Sequence, residues 1–209
     1  MNGGYYMDIK IRIANEKDFD KIEFIVRESF WNIYTPGCDE HLIIHNIHKN
    51  NKSIKDLELV AEYENEIIGH IVYTKGQIKG LDNNTFISFG PLCVMPDYQS
   101  KGIGANIVNT SINKAKELGY SAVFITGNPS YYNKLGFESA SKYGIYMEGM
   151  SKEEEAPFFM VKVLKENVLD NIEGEYVFDE VFSVNSEDID EFDKKFPYKI
   201  KEVRPGQLW

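Results

Sequence analysis

The sequence predicts a mixed α/β fold, an α+β arrangement in which one mostly antiparallel sheet of six to seven strands is flanked by helices. Three observations carry this. Apolar residues alternate in some stretches, as at Ile9, Ile11 and Ile13, and recur at helical spacing in others. The order along the chain reads β-α-α-β-β-β-α-β-α-β-β, which mixes meander and crossover connections. The turn at Asn65-Glu66 joins two strand-like runs as a hairpin.

Taken in order, Ile9–Ile13 is a half-buried strand. Asn15 is placed as an N-cap, with Asp18 three residues on. Phe19, Ile22, Ile25, Val26, Ser29 and Phe30 then repeat at helical spacing. Pro36-Gly37 breaks the chain, and Asp39–Asn50 reads as a second helix. Leu57–Tyr63 and Ile67–Thr74 form the hairpin, Gly76–Asn84 reads as a polar loop, and Thr85–Val94 is a strand interrupted by Gly90-Pro91. The clearest helix lines up Ile103, Ile107, Val108, Ile112, Ala115 and Leu118, with Gly119 at its C-terminal cap. Ser121–Thr126 is an apolar strand, followed by a short helix from Ser130. Phe137–Ala140 is a brief strand, residues 142–156 a polar loop, and Phe158–Leu164 an alternating strand. Tyr176–Val184 is strand-like, and Glu187–Lys195 an acidic helix.

The chain has 209 residues and a net charge of −10. That charge argues against nucleic acid, since phosphate neutralisation needs a basic face, and against an anionic membrane surface. No apolar run reaches the ~18 residues of a membrane-spanning helix. Residues 151–209 carry 15 acidic and 8 basic side chains, so most of the surplus lies near the C-terminus. Cys38 and Cys93 lack the spacing of a disulfide framework or a cysteine zinc site. The first six residues lack the features of a secretory signal and read as a flexible leader, with Met7 an alternative start. A cytoplasmic setting fits these features.

The informative stretch is Gly90–Phe137. After Leu92-Cys93-Val94 comes Gln99-Ser100-Lys101-Gly102-Ile103-Gly104-Ala105, at the start of the clearest helix. Glycines there let backbone approach a ligand, and the free N–H groups of a first helical turn suit a pyrophosphate. Lys101 adds a cation nearby. A Walker A loop fails on spacing, because Lys101 precedes Gly102. A dinucleotide fingerprint fails too, because Ile107 stands where a third Gly or Ala belongs.

Val94-x-Pro96-x-x-Gln99-x-x-Gly102-x-Gly104 resembles the Arg/Gln-x-x-Gly-x-Gly/Ala signature of the GCN5-related N-acetyltransferases. Tyr131-Tyr132-Asn133-Lys134-Leu135-Gly136-Phe137 is similar to that family's aromatic-Tyr-x-x-Leu/Phe-Gly-Phe segment. Gly90-Pro91-Leu92 and Gly127-Asn128-Pro129-Ser130 look most like its bacterial predicted N-acetyltransferase subgroup. The resemblance covers residues 8–165 in element order and is specific at 90–137.

The resemblance implies acetyl-CoA as co-substrate and direct transfer to an amine of a small-molecule or peptidyl acceptor. Leu92, Cys93 and Val94 would pair with the pantetheine arm as an added strand does. Gln99, Ser100, Lys101, Gly102, Ile103, Gly104 and Ala105 would hold the pyrophosphate, and Asn128 would belong to the cofactor site. Tyr132 would be the general acid, a phenol that is protonated at pH 7. The base stays open among Glu28, Glu62 and His70. No metal is expected, although His41, His45 and His48 share a helix face at i, i+4, i+7. Covalent transfer through Cys93 is the lesser reading, since no basic partner is placed by sequence. The expected division is a leader at 1–6, an acetyltransferase domain at 7–165 and a C-terminal extension at 166–209. That extension is either a solvated segment along the domain or a dimer arm or acceptor-site cover. A monomer or homodimer is expected. The alternatives are a non-catalytic acyl-CoA sensor, and the same fold using a longer acyl-CoA.

Overall fold

The computed structural model describes residues 7–82 and 84–207, and the expected leader at 1–6 lies outside them. The described residues form ten strands and five α-helices, in the predicted order apart from two added short strands. They are β1 Lys10–Ile13, α1 Phe19–Phe30, α2 Glu40–Lys49, β2 Leu59–Tyr63, β3 Glu66–Lys75, β4 Gln77–Ile78, β5 Phe86–Val94 and α3 Ile103–Glu117. Then come β6 Ala122–Thr126, α4 Pro129–Tyr132, β7 Glu138–Ser139, β8 Ile145–Met147, β9 Phe159–Val163, β10 Gly174–Val177 and α5 Ser186–Asp193.

The main sheet has seven strands in the order β1-β2-β3-β5-β6-β9-β7. β5 and β6 run parallel, and the other neighbours are antiparallel. Alternation along each strand sends side chains to two cores. On one face Ile103, Ile107, Val108 and Ile112 of α3 cover Leu59, Ala61, Ile71, Tyr73 and Val123. On the other, Ile22, Ile25 and Val26 of α1 and Ile44 and Ile47 of α2 cover Val60, Val72 and Cys93. The start of α1 is built as read: Asn15 and Asp18 close a capping box on the 3-10 turn at Glu16–Asp18.

Two expectations of loop are replaced by short strands. β4 forms within 76–84 and β8 within 142–156, and both pair with β10 in a separate three-stranded sheet. Two or three residues are too few to show a strand period, so these strands come from tertiary pairing. Their sheet closes a third core in which Tyr176 stacks on Phe124 at 4.0 Å between centroids.

The last segment folds back over α1 and α2. Arg27, wholly buried, makes a two-pronged bond to Asp193, with Nε–Oδ1 2.6 Å and Nη2–Oδ2 3.1 Å. The Trp31 indole and the Asn32 amide both donate to the Ile200 carbonyl at 3.0 Å. Glu202 N donates to Asn32 Oδ1 at 3.0 Å, and Lys199 pairs with Glu28 at 2.9 Å.

Candidate active site

The site begins where two parallel strands part. β5 pairs with β6 only through Phe86–Ser88 against Ala122–Phe124. Further along, Gly90-Pro91, joined by a cis peptide bond, shifts the β5 register against β3 between Ile71 and Tyr73. The bulge bends β5 away from β6, and the edge at Leu92, Cys93 and Val94 facing β6 is left without a strand partner among the described residues. An extended, peptide-like ligand fits such an edge.

The connection from β5 to α3 turns through Ser100, φ +60°, and Gly102, φ +80°. The left-handed value at 102 is cheap for glycine and costly for other residues. The first bond of α3 runs from Asn106 N to Gly102 O at 3.0 Å. The amides of Ile103, Gly104 and Ala105 therefore lie ahead of the ladder, with no side-chain cap and no acidic residue in the first turn. The sequence placed the side chains of Gln99 and Lys101 here as well. Gln99 Nε2 turns back to donate to Val94 O at 2.8 Å, and Lys101 Nζ donates to Asp97 O at 2.7 Å. Both bonds brace the turn that presents the amides.

From α4, Tyr131 stands over this turn, and Tyr132 lies beside it in the same helix. Asn128 caps that helix, accepting from Ser130 N at 2.9 Å. The backbone gives way to both rings: a Cβ at Gly104 would stand 2.8 Å from Tyr131 Oη, and one at Gly127 would stand 2.3 Å from Tyr132 Cε2. Tyr132 is wedged against Phe89 and Phe137, with centroids 5.9 and 5.7 Å away. Burial, then the neighbouring tyrosines, push its phenol above its ordinary value, so it stays protonated. A cavity of about 480 Å³ lies beside α4, lined by Pro129, Asn133, Phe137, Glu138 and Lys142, away from the β5 edge.

The three candidates for base are held elsewhere. Glu28 pairs with Lys199, Glu62 lies 2.6 Å from Arg12, and fully buried His70 sits 3.2 Å from Glu58. The Cys93 thiol is turned into the core under α1, and burial pushes it up to about 12, so no thiolate forms near neutral pH. The three histidines of α2 do not converge. His41 faces Asp193 at 3.2 Å, His45 bonds Glu23 at 2.8 Å, and His48 bonds Glu58 at 2.6 Å.

One acid escaped the sequence reading. Glu40 opens α2 half-buried, and burial, then Asp39, push it up to about 8. Its charge is felt by Tyr34, and Tyr34 in turn by Tyr132, so each of the three groups lies within electrostatic reach of the next. Phe182, from the segment after β10, packs against the α1–α2 core, and its ring would lie 3.8 Å from a Cβ on Gly90.

Residues 23–137 match the Acetyltransferase (GNAT) family. The N-acetyltransferase YhbS of Escherichia coli K12 is 25% identical over 174 residues, 83% of this chain and 98% of that protein. YjhQ of the same strain is 37% identical over 83 residues, 39% of this chain and 46% of that relative's length. The crystal structure of E. coli YhbS in complex with CoA shares the fold with a TM-score of 0.76 and 21% identity, covering 87% of this chain and 96% of that one. A Brucella melitensis GNAT acetyltransferase in complex with acetyl-CoA matches with a TM-score of 0.69 and 19% identity, over 85% of this chain and 100% of that one. With a family match across more than half its length, on a seven-stranded sheet of this topology, the chain belongs to the GNAT acetyltransferase family.

Proposed function

We propose that this protein transfers the acetyl group of acetyl-CoA directly to an amine of a small-molecule or peptidyl acceptor. The observation that carries the reading is the parted edge of β5 together with the uncapped first turn of α3, with Tyr132 packed on Phe89 of β5. The amides of Ile103, Gly104 and Ala105 take the pyrophosphate, and Leu92–Val94 pair with the pantetheine arm. A backbone N–H of this edge polarises the thioester carbonyl.

The acceptor arrives as an ammonium ion and must lose a proton before it attacks. Glu40 is the base we assign, because its raised value suits an acceptor of that proton and it lies within electrostatic reach of Tyr34, as Tyr34 does of Tyr132. The amine nitrogen bonds to the acetyl carbon, and the carbon–sulfur bond breaks. The Tyr132 proton then passes to the departing thiolate. The new amide nitrogen still carries a surplus proton, which returns to the tyrosinate, and Glu40 releases the one it took to solvent.

Both cysteines are free and buried, which fits the reducing cytoplasm. Thiol release measured across an amine panel, beside calorimetry with acetyl-CoA, tests the reading. Turnover on an amine supports it. Acetyl-CoA binding with no turnover on any acceptor identifies a sensor instead, and faster turnover of a longer thioester moves the donor assignment.

A further inference from the structure

On the opposite face of the sheet from α3, a cluster lies outside the proposed reaction. His48 from α2, Glu58 just before β2 and His70 from β3 direct one nitrogen each, and one oxygen, at a common point. His48 Nε2 and His70 Nε2 stand 2.6 and 3.2 Å from the same Glu58 Oε1, and all three atoms lie within 4.8 Å of one another. We propose that these three residues form a binding site for one divalent transition-metal ion of the zinc class, tying α2 to the sheet.

Donor chemistry and spacing agree. Two imidazoles and one carboxylate are ligands that zinc accepts, and tetrahedral ligands ~2.0–2.1 Å from the ion stand roughly 3.3 Å from each other. Of the present separations, His70–Glu58 at 3.2 Å already matches, His48–Glu58 at 2.6 Å must open, and the two imidazoles, within 4.8 Å, must close to the same spacing.

Charge points the same way. The Glu58 side chain is 4% exposed, and its partners among the described residues are the two imidazoles, with no lysine or arginine. A carboxylate this buried, with no lysine or arginine beside it, gains from a bound cation. The neighbouring carboxylate of Asp18 is itself paired with Arg12. Phe19 stacks on the His48 ring at 3.6 Å and holds its orientation.

The test uses full-length protein purified without a histidine tag, freed of metal and of CoA, and titrated with Co²⁺. The expected result is one visible absorption band of a four-coordinate ion, saturating at one ion per chain and displaced by Zn²⁺. Zn²⁺ should also raise the melting temperature. His48→Gln, at the rim of the cluster, should lose the band and the shift while keeping the circular dichroism of the fold; His45→Ala, on the same helix, should lose neither. Absence of the band in the wild-type protein would overturn the site and leave a hydrogen-bonded triad. So would thiolate charge-transfer absorption, which moves the ion to a cysteine, or loss of binding in His45→Ala alone.

Discussion

Two side chains carry opposite parts of the proposed proton traffic, and each is set by its surroundings. Tyr132 keeps its proton because burial disfavours the phenolate. Tyr132→Phe should lower kcat by about 100-fold or more with little change in acetyl-CoA affinity, since the ring and its apolar contacts remain. Glu40 is the complementary case. Its folded value near 8 lies above the unfolded carboxyl value of roughly 4.3, so the folded state holds the proton more tightly. Stability conferred by Glu40 is therefore complete below about pH 4 and is lost as pH rises through 8. Activity follows the other sign, because the base works ionised. Initial rates should climb between pH 7 and 9, and Glu40→Gln should remove that limb while raising the melting temperature at pH 8.5. A third prediction concerns backbone. Gly104→Ala places a methyl group 2.8 Å from Tyr131 Oη, so calorimetry should show weaker acetyl-CoA binding with the fold intact.

At the scale of elements, what could be read from the sequence was what is local. The α3 helix was legible from its spacing, and its turn at Gly102 and the aromatic pair at 131–132 from the family motifs they resemble, all within a short stretch of chain. The base was not recoverable. Glu28, Glu62 and His70 are occupied by Lys199, Arg12 and Glu58, partners 171, 50 and 12 positions away. Glu40 looked like any acid at a helix start until burial distinguished it. The α2 histidines show the same limit, since a common stripe on one helix says nothing about the carboxylates arriving from three other segments. His41 gives an element-scale prediction. Burial, above all, holds it at about 4, below the ordinary 6.5, despite Asp193 nearby. Its contribution is present above pH 6.5 and is lost as pH falls through 4, so the melting temperature should drop across that window, less steeply in His41→Gln.

For the molecule as a whole, the acidic C-terminal segment is woven into both halves of the fold. β10 joins β4 and β8, and Tyr176 is fully buried. Asp193 neutralises Arg27, which is 0% exposed. Removing that partner alone, in Asp193→Asn, leaves a buried guanidinium under-compensated and should cost about 3 kcal/mol in chemical denaturation. The surplus negative charge that the sequence showed near this end is thus partly taken up by ion pairs, with Arg27 inside the protein and with Lys52 and Lys79 at its surface.

The strap across Trp31 and Asn32 has a consequence for how the enzyme is made. Chains fold from the N-terminus as they are synthesised. A nascent chain that has reached Lys165 already contains the residues of β5, α3 and α4, and with them the proposed pyrophosphate turn and Tyr132. It does not yet contain Phe182, Asp193 or Ile200, which pack on Gly90, Arg27 and Trp31. Every residue proposed to hold the donor is therefore translated before the segment that closes over α1.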